Sequence, residues 1–158
     1  VNRFVKEKAN GDIISYSRKF EKPLQFVDVL GSSIIRMGKN KNSVRKKAWM
    51  YMRWMVREYP DLRIFDHFSP KDLFVPLDGN VAKVAACLGL IPSNKISPTG
   101  KISNLDWKDV LRVTEFARSL YPNDPVKVDY PFFLLGRKIG NLPLSAQTLK
   151  RVLEITRR

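Results

Sequence analysis

The sequence predicts an all-α protein, a helical bundle of about six to seven helices. Three observations support this fold class. Apolar residues recur at helical spacing in most segments, no segment alternates apolar and polar residues long enough to predict a strand, and several predicted helices start at a serine or an aspartate. At 158 residues, 44% of them hydrophobic, the chain 1–158 is expected to form a single domain.

The first half of the chain predicts two helices joined by a short polar turn. Residues 1–22 give a weak helical pattern and are interpreted as an N-terminal extension. From Pro23 the apolar residues recur at helical spacing, and the connection GKNKNS that begins at Gly38 is too short for anything but a tight turn. Ser43 is then a good N-cap for a long helix that ends before Pro60.

The second half predicts four further helices. Asp78 follows a proline and is typical of an N-cap, which is the favoured explanation of this aspartate from the residues alone. The polar run 92–103 predicts a surface loop. The expected helices lie at about 78–89, 105–121, 124–139 (kinked or broken by Pro131) and within the C-terminal region 141–158, where Ser145 starts the helix, and a short helical turn is expected at 69–73.

The charge of the chain indicates a polyanionic partner, since 29 Lys and Arg residues against 15 Asp and Glu give a net charge of +14. A single cysteine (Cys87) and a single histidine (His67) argue against a disulfide or a metal cluster, so no cofactor or metal is expected. No apolar run is long enough to span a membrane, which predicts a cytoplasmic protein. Val1 fits either methionine removal or a fragment of a longer chain.

A cluster of basic residues surrounds the start of the second predicted helix. The helix dipole disfavours cations at a helix N-terminus, so the cluster indicates either a bound phosphate or a nucleophilic lysine among positive neighbours. A solvated basic turn is the alternative, and the residues alone favour it over catalysis. Arg53 and Arg57 extend a basic stripe along the same helix. The candidate nucleic-acid contacts of the turn are Lys39, Lys41, Asn42, Arg45 and Lys47.

Three segments carry a more specific pattern: KKAWMYMRWMVR (46–57), FSPKDLFVPLDGNVAKVAACLGLI (68–91) and DWKDVLRVTEFARSLYPNDPVKVDYPFFLLG (106–136). In order and spacing they resemble the helix-hairpin-helix superfamily of DNA glycosylases. The resemblance is strong to an uncharacterised prokaryotic branch and weaker to the archaeal 8-oxoguanine DNA glycosylase/lyase. It covers most of the chain, the glycosylase-like region 23–140, and implies the helix-hairpin-helix glycosylase fold.

The resemblance implies a catalytic lysine and aspartate. Lys46 matches the family lysine at the start of the second hairpin helix, with Lys47 as a rival, and Asp78 matches the aspartate at the start of a later helix. In the family the amine attacks C1′ of a damaged nucleoside extruded from the duplex, displaces the base and forms a Schiff base. The aspartate stabilises the charge that develops on the sugar and helps to deprotonate the lysine.

The resemblance also implies a base pocket. In the archaeal enzyme an aspartate and an aromatic residue four positions later contact the extruded base, and Asp129 and Phe133 occupy the matching positions. That spacing places both side chains on one helical face. Ordinary core packing remains the favoured explanation of Phe133. Asp129 lies in an apolar segment and would need a partner if buried.

Two main classes of function stay open. The first is a monomeric DNA-repair enzyme of the archaeal or bacterial nucleoid that excises a damaged base and nicks the abasic site, with damaged or abasic DNA as its partner. The second is a non-catalytic, basic all-α protein that binds DNA or RNA through the same turn. A ribosome-associated factor is a weaker third hypothesis, for which the size and charge are equally suitable.

Overall fold

The computed structural model describes residues 2–38, 40–97 and 99–156. Within these ranges the chain forms eight α-helices and no β-strand, so the all-α prediction is confirmed. Three short 3₁₀ segments lie between them, at Pro70–Asp72, Ser93–Lys95 and Pro125–Val128. The α-helices are α1 (Asn2–Glu7), α2 (Ile13–Ser17), α3 (Pro23–Ser33), α4 (Lys46–Val56), α5 (Gly79–Cys87), α6 (Trp107–Leu120), α7 (Asp129–Ile139) and α8 (Ala146–Thr156).

The N-terminal segment is helical and packs onto the main core. Asp12 caps α2 by accepting hydrogen bonds from the backbone N–H groups of Ile14 and Ser15. Phe4 of α1 is buried and lies edge-to-face against Tyr16. The segment interpreted as an extension therefore contributes side chains to the same core as the rest of the chain.

The start of α4 differs from the prediction. Ser43 is not the N-cap, because its hydroxyl donates to the carbonyl of Asn40 inside the turn. The cap position is taken by Arg45, whose backbone adopts a left-handed conformation with φ of 45°. Lys46 is therefore the first residue of the helix. This left-handed residue gives the turn a sharp bend directly before α4 begins.

The later helices start close to where the sequence predicts. The Asp78 carboxylate caps α5, and the Ser145 hydroxyl accepts from the N–H of Thr148 at the start of α8. The predicted helix 124–139 is broken ahead of Pro131, since a 3₁₀ segment covers Pro125–Val128 and α7 begins only at Asp129, which places the proline in the first turn of that helix. A proline in a first turn removes no helical hydrogen bond.

Helix packing brings the start of α4 to the start of α5 and sets the second half of α7 against the start of α5. Gly136 of α7 lies against the backbone of Asn80 at the start of α5, and α3 packs along α4. Lys46 opens α4, Asp78 caps α5, and Asp129 opens α7. Among the described residues, no helix is long and apolar enough to cross a membrane.

Candidate functional site

Lys46 and Asp78 meet at the partly exposed junction of α4 and α5. The Nζ atom of Lys46 lies 3.3 Å from Oδ2 of Asp78. The lysine side chain is 42% exposed, whereas that of the aspartate is 13% exposed. Thus an amine that solvent or a ligand can reach faces a carboxylate that the fold holds in place.

The two oxygens of Asp78 have different partners. Oδ1 accepts hydrogen bonds of 2.8 Å from the backbone N–H groups of Asn80 and Val81, which is the N-cap interaction. Oδ2 takes no part in the cap and faces Lys46. Capping therefore fixes the orientation of the carboxylate and leaves one oxygen for the amine. Capping and a chemical role are compatible in this geometry.

Asp129 is buried beside this pair and is held by Arg53 of α4. Arg53 Nη1 donates to Oδ2 of Asp129, which supplies the partner that a buried carboxylate requires. Burial raises the pKa of the Asp129 carboxyl, the Arg53 guanidinium opposes the rise, and the nearby Asp78 carboxylate adds to it. The site thus contains a second carboxylate close to Asp78, already engaged by an arginine.

Phe133 is half-buried one turn further along α7. Its ring lies 6.0 Å from the guanidinium of Arg137 on the same helix and packs against the edge of the core. The structure therefore places Asp129 beside the Lys46–Asp78 pair, and it places Phe133 four residues further along α7.

The candidate nucleic-acid contacts of the basic turn differ in their exposure to solvent. Lys41 and Lys47 are exposed, and Lys47 makes no ion pair within the described ranges. Asn42 is exposed as well, but its backbone carbonyl accepts from Trp107 N–H, which ties the turn to α6. Lys39 lies outside the described residues.

Arg45 does not face solvent, in contrast to the prediction. Its side chain is 3% exposed and its guanidinium donates to Asp28 of α3. A side chain buried to this extent cannot reach a phosphate in this conformation. Its contact with Asp28 instead joins the turn to the preceding helix.

The basic stripe predicted along α4 is neutralised by Asp61 in the loop that follows the helix and by two aspartates from distant parts of the chain, Asp124 and Asp129. Arg57 pairs with Asp61 at 2.8 Å and with Asp124 at 2.8 Å, and Arg53 lies 3.6 Å from Asp61 in addition to holding Asp129. The sequence indicated the two arginines but not these partners. Asp124 was interpreted only as the start of a helix, and no local pattern links it to Arg57.

The comparison with protein families gives one result. The family model for DUF2400, described as a protein of unknown function, matches residues 2–138. The chain therefore belongs to the DUF2400 family. No curated protein and no solved structure matches it.

Proposed function

We propose that this protein is a base-excision-repair DNA N-glycosylase with AP-lyase activity, acting on oxidised or damaged bases of the 8-oxoguanine type. The observation that carries the proposal is the 3.3 Å approach of Lys46 Nζ to Asp78 Oδ2 at a partly exposed position. An aspartate that serves only as a cap needs no lysine partner. A lysine beside a fixed carboxylate is suited to nucleophilic catalysis through a Schiff base.

The chemistry follows from the two side chains. The free Oδ2 of Asp78 accepts a proton from the Lys46 ammonium, which leaves a lone pair on Nζ. That pair forms a bond to C1′ of the damaged nucleoside while the glycosidic bond breaks, and the base departs with the bonding electrons and the proton that Asp78 has taken up. Nζ then gives a second proton to Asp78, and the lone pair left on Nζ forms the C1′=Nζ double bond of the Schiff base as the C1′–O4′ bond breaks. O4′ keeps the electrons of that bond and takes the proton from Asp78.

The electrostatics of the site suit a negatively charged polymer. Lys46 and Asp78 stand at the starts of α4 and α5, where the positive ends of two helix dipoles lie. Exposed Lys47 follows Lys46 in the first turn of α4, and exposed Lys41 lies in the turn that precedes the helix. These groups attract a phosphate backbone without reading its sequence. DNA that carries a damaged base or an abasic site is therefore the proposed partner.

Borohydride trapping tests the nucleophile. Sodium borohydride reduces a Schiff base to a stable amine, so the protein should become covalently attached to oligonucleotides that contain 8-oxoguanine or an abasic site. Lys46→Gln should abolish the adduct, and the matched variant Lys47→Gln should keep it. Release of free base, measured in parallel, detects a glycosylase that forms no adduct.

Asp78→Asn separates catalysis from capping. Asparagine caps a helix about as well as aspartate, so the stability of this variant should stay within about 0.5 kcal/mol of the parent. Its trapping rate should fall at least tenfold, because the amide cannot accept the lysine proton. An adduct that persists in Lys46→Gln, or full activity in Asp78→Asn, would refute the assigned roles. Binding without adduct or base release would favour the non-catalytic alternative.

A further inference from the structure

A recess lies along α4, beyond the Lys46–Asp78 pair. It is an open cleft of about 640 Å³ between the C-terminal half of α4, the loop that follows it and the start of α7. Of the cleft residues on α4, Arg53 is the nearest to Lys46 in sequence. It lies seven positions beyond Lys46, roughly 10 Å along the helix axis. The residues that line the cleft include Arg53, Trp54, Leu62, Lys127, Tyr130 and Pro131.

Two large aromatic side chains are exposed at this cleft. Trp54 is 42% exposed and Tyr130 is 65% exposed. The other tryptophans have packing partners, since Trp49 is fully buried and stacks on Trp107 at 6.0 Å. Exposed aromatic faces on either side of a cleft are the arrangement on which planar rings stack.

The cleft wall carries two arginines that are paired within the protein, and Lys127, whose ammonium lies 5.2 Å from the centre of the Tyr121 ring. Arg53 and Arg57 pair with Asp61, Asp124 and Asp129. Guanidinium groups that are already paired attract a phosphate weakly, so the arginine side of the cleft favours a neutral ring over an anion.

The cleft is separate from the position of the reacting nucleotide. Arg53 lines the cleft and holds Asp129, whose carboxyl lies near Asp78. Trp54 lies eight positions beyond Lys46, roughly 12 Å along the helix axis, so a base whose C1′ lies at Lys46 Nζ is held away from it. A base from a neighbouring nucleotide can enter from the open side instead.

We infer that the cleft holds a second, unpaired nucleobase, stacked on Trp54 and Tyr130. The inference rests on the proposed function insofar as the ligand is nucleic acid, but it requires no chemistry at Lys46. Only a base released from pairing can enter the cleft, because a paired base presents its faces to its neighbours in the duplex. The protein therefore prefers DNA with unpaired bases next to the site over a continuous duplex.

The test measures binding to an undamaged single strand that contains 2-aminopurine and to the same sequence as a duplex, at one salt concentration. Tyr130→Ala should weaken single-strand binding about tenfold, within the range known for base–aromatic stacking. It should leave duplex binding unchanged. Tyr130→Phe should restore single-strand binding, because the ring is retained. Tyr59→Ala is the matched control, since Tyr59 is 95% exposed and does not line the cleft.

The salt dependence and the 2-aminopurine signal provide two further readouts. Stacking should quench the fluorescence in the parent and not in Tyr130→Ala. The slope of log K against log salt should stay the same in this variant, because no phosphate contact is lost. Equal losses on single strand and duplex, or none on either, would overturn the inference. If borohydride trapping succeeds while the cleft variants bind normally, the cleft assignment fails and the proposed function stands.

Discussion

Gly136→Ala tests whether the backbone contact between α5 and α7 positions the site. A Cβ atom at Gly136 would lie 2.1 Å from the carbonyl oxygen of Asn80, and 2.5 and 2.8 Å from its C and Cα atoms. All three are backbone atoms, so no side-chain rotation can relieve the contact. Cβ atoms essentially never approach other atoms closer than 3.0 Å. The two helices must therefore separate by about 0.9 Å or more.

The energetic cost follows from two opposing effects. Overpacking of a tight contact costs about 1–3 kcal/mol, and a rigid backbone obstacle places this case at the upper end. The higher helix propensity of alanine returns up to about 1 kcal/mol. The free energy of unfolding should therefore fall by about 2 kcal/mol, which corresponds to a decrease in Tm of about 4–8 °C.

The displacement should also affect the proposed chemistry, because Asp78 and Asp129 lie on the two helices that separate. A misplacement of about 1 Å can reduce an enzymatic rate about 100-fold. Urea unfolding measures the stability, and the rate of borohydride trapping measures the chemistry. Gly79→Ala is the matched control, since Gly79 begins α5 and a Cβ atom at this position would meet nothing within 4 Å. A Gly136→Ala protein as stable and as active as the parent would refute the reasoning.

Three further predictions concern charged side chains. Arg45→Met should lower the free energy of unfolding by about 2 kcal/mol, because it removes a charged hydrogen bond to Asp28, and should leave the salt dependence of DNA binding unchanged. Lys47→Gln should leave urea unfolding unaltered and should reduce the slope of log K against log salt for duplex binding by about 0.9. Because burial raises the pKa of Asp129 above 3.8 in the folded state, its contribution to stability is full below pH 3.8 and is lost as the pH rises through the folded pKa. In urea unfolding at several pH values, the free energy of unfolding of the parent should therefore fall relative to that of Asp129→Asn as the pH rises through this range. A rise of the parent relative to the variant would contradict the assignment.

The sequence predicted those parts of the structure that depend on local interactions. The Asp78 cap and the Ser145 start of α8 each involve residues three positions apart or fewer. The rule that serine caps helices failed at Ser43, because the buried contact of Arg45 with Asp28 fixes the turn and overrides the local preference. A left-handed arginine is not visible in the sequence, since its stabilising partner lies 17 residues away.

The candidate site was accessible to sequence reasoning only in part. Lys46 and Asp78 were paired through a family resemblance, because helical periodicity says nothing about which two helix starts meet. Arg53 was noted as a basic residue on α4, but its partner Asp129 lies 76 residues further along the chain. A long-range ion pair of this kind depends on how the helices pack, so the pairing of the arginines in the cleft emerged only from the structure.

The tight contact at Gly136 has a consequence for motion. Since α5 and α7 touch backbone to backbone, Asp78 and Asp129 belong to one rigid unit, whereas Lys46 and Arg53 belong to α4, which packs along α3. Two ion pairs, Lys46 with Asp78 and Arg53 with Asp129, cross the boundary between these units. A displacement of α4 relative to α5 and α7 would therefore change the distances in both ion pairs together.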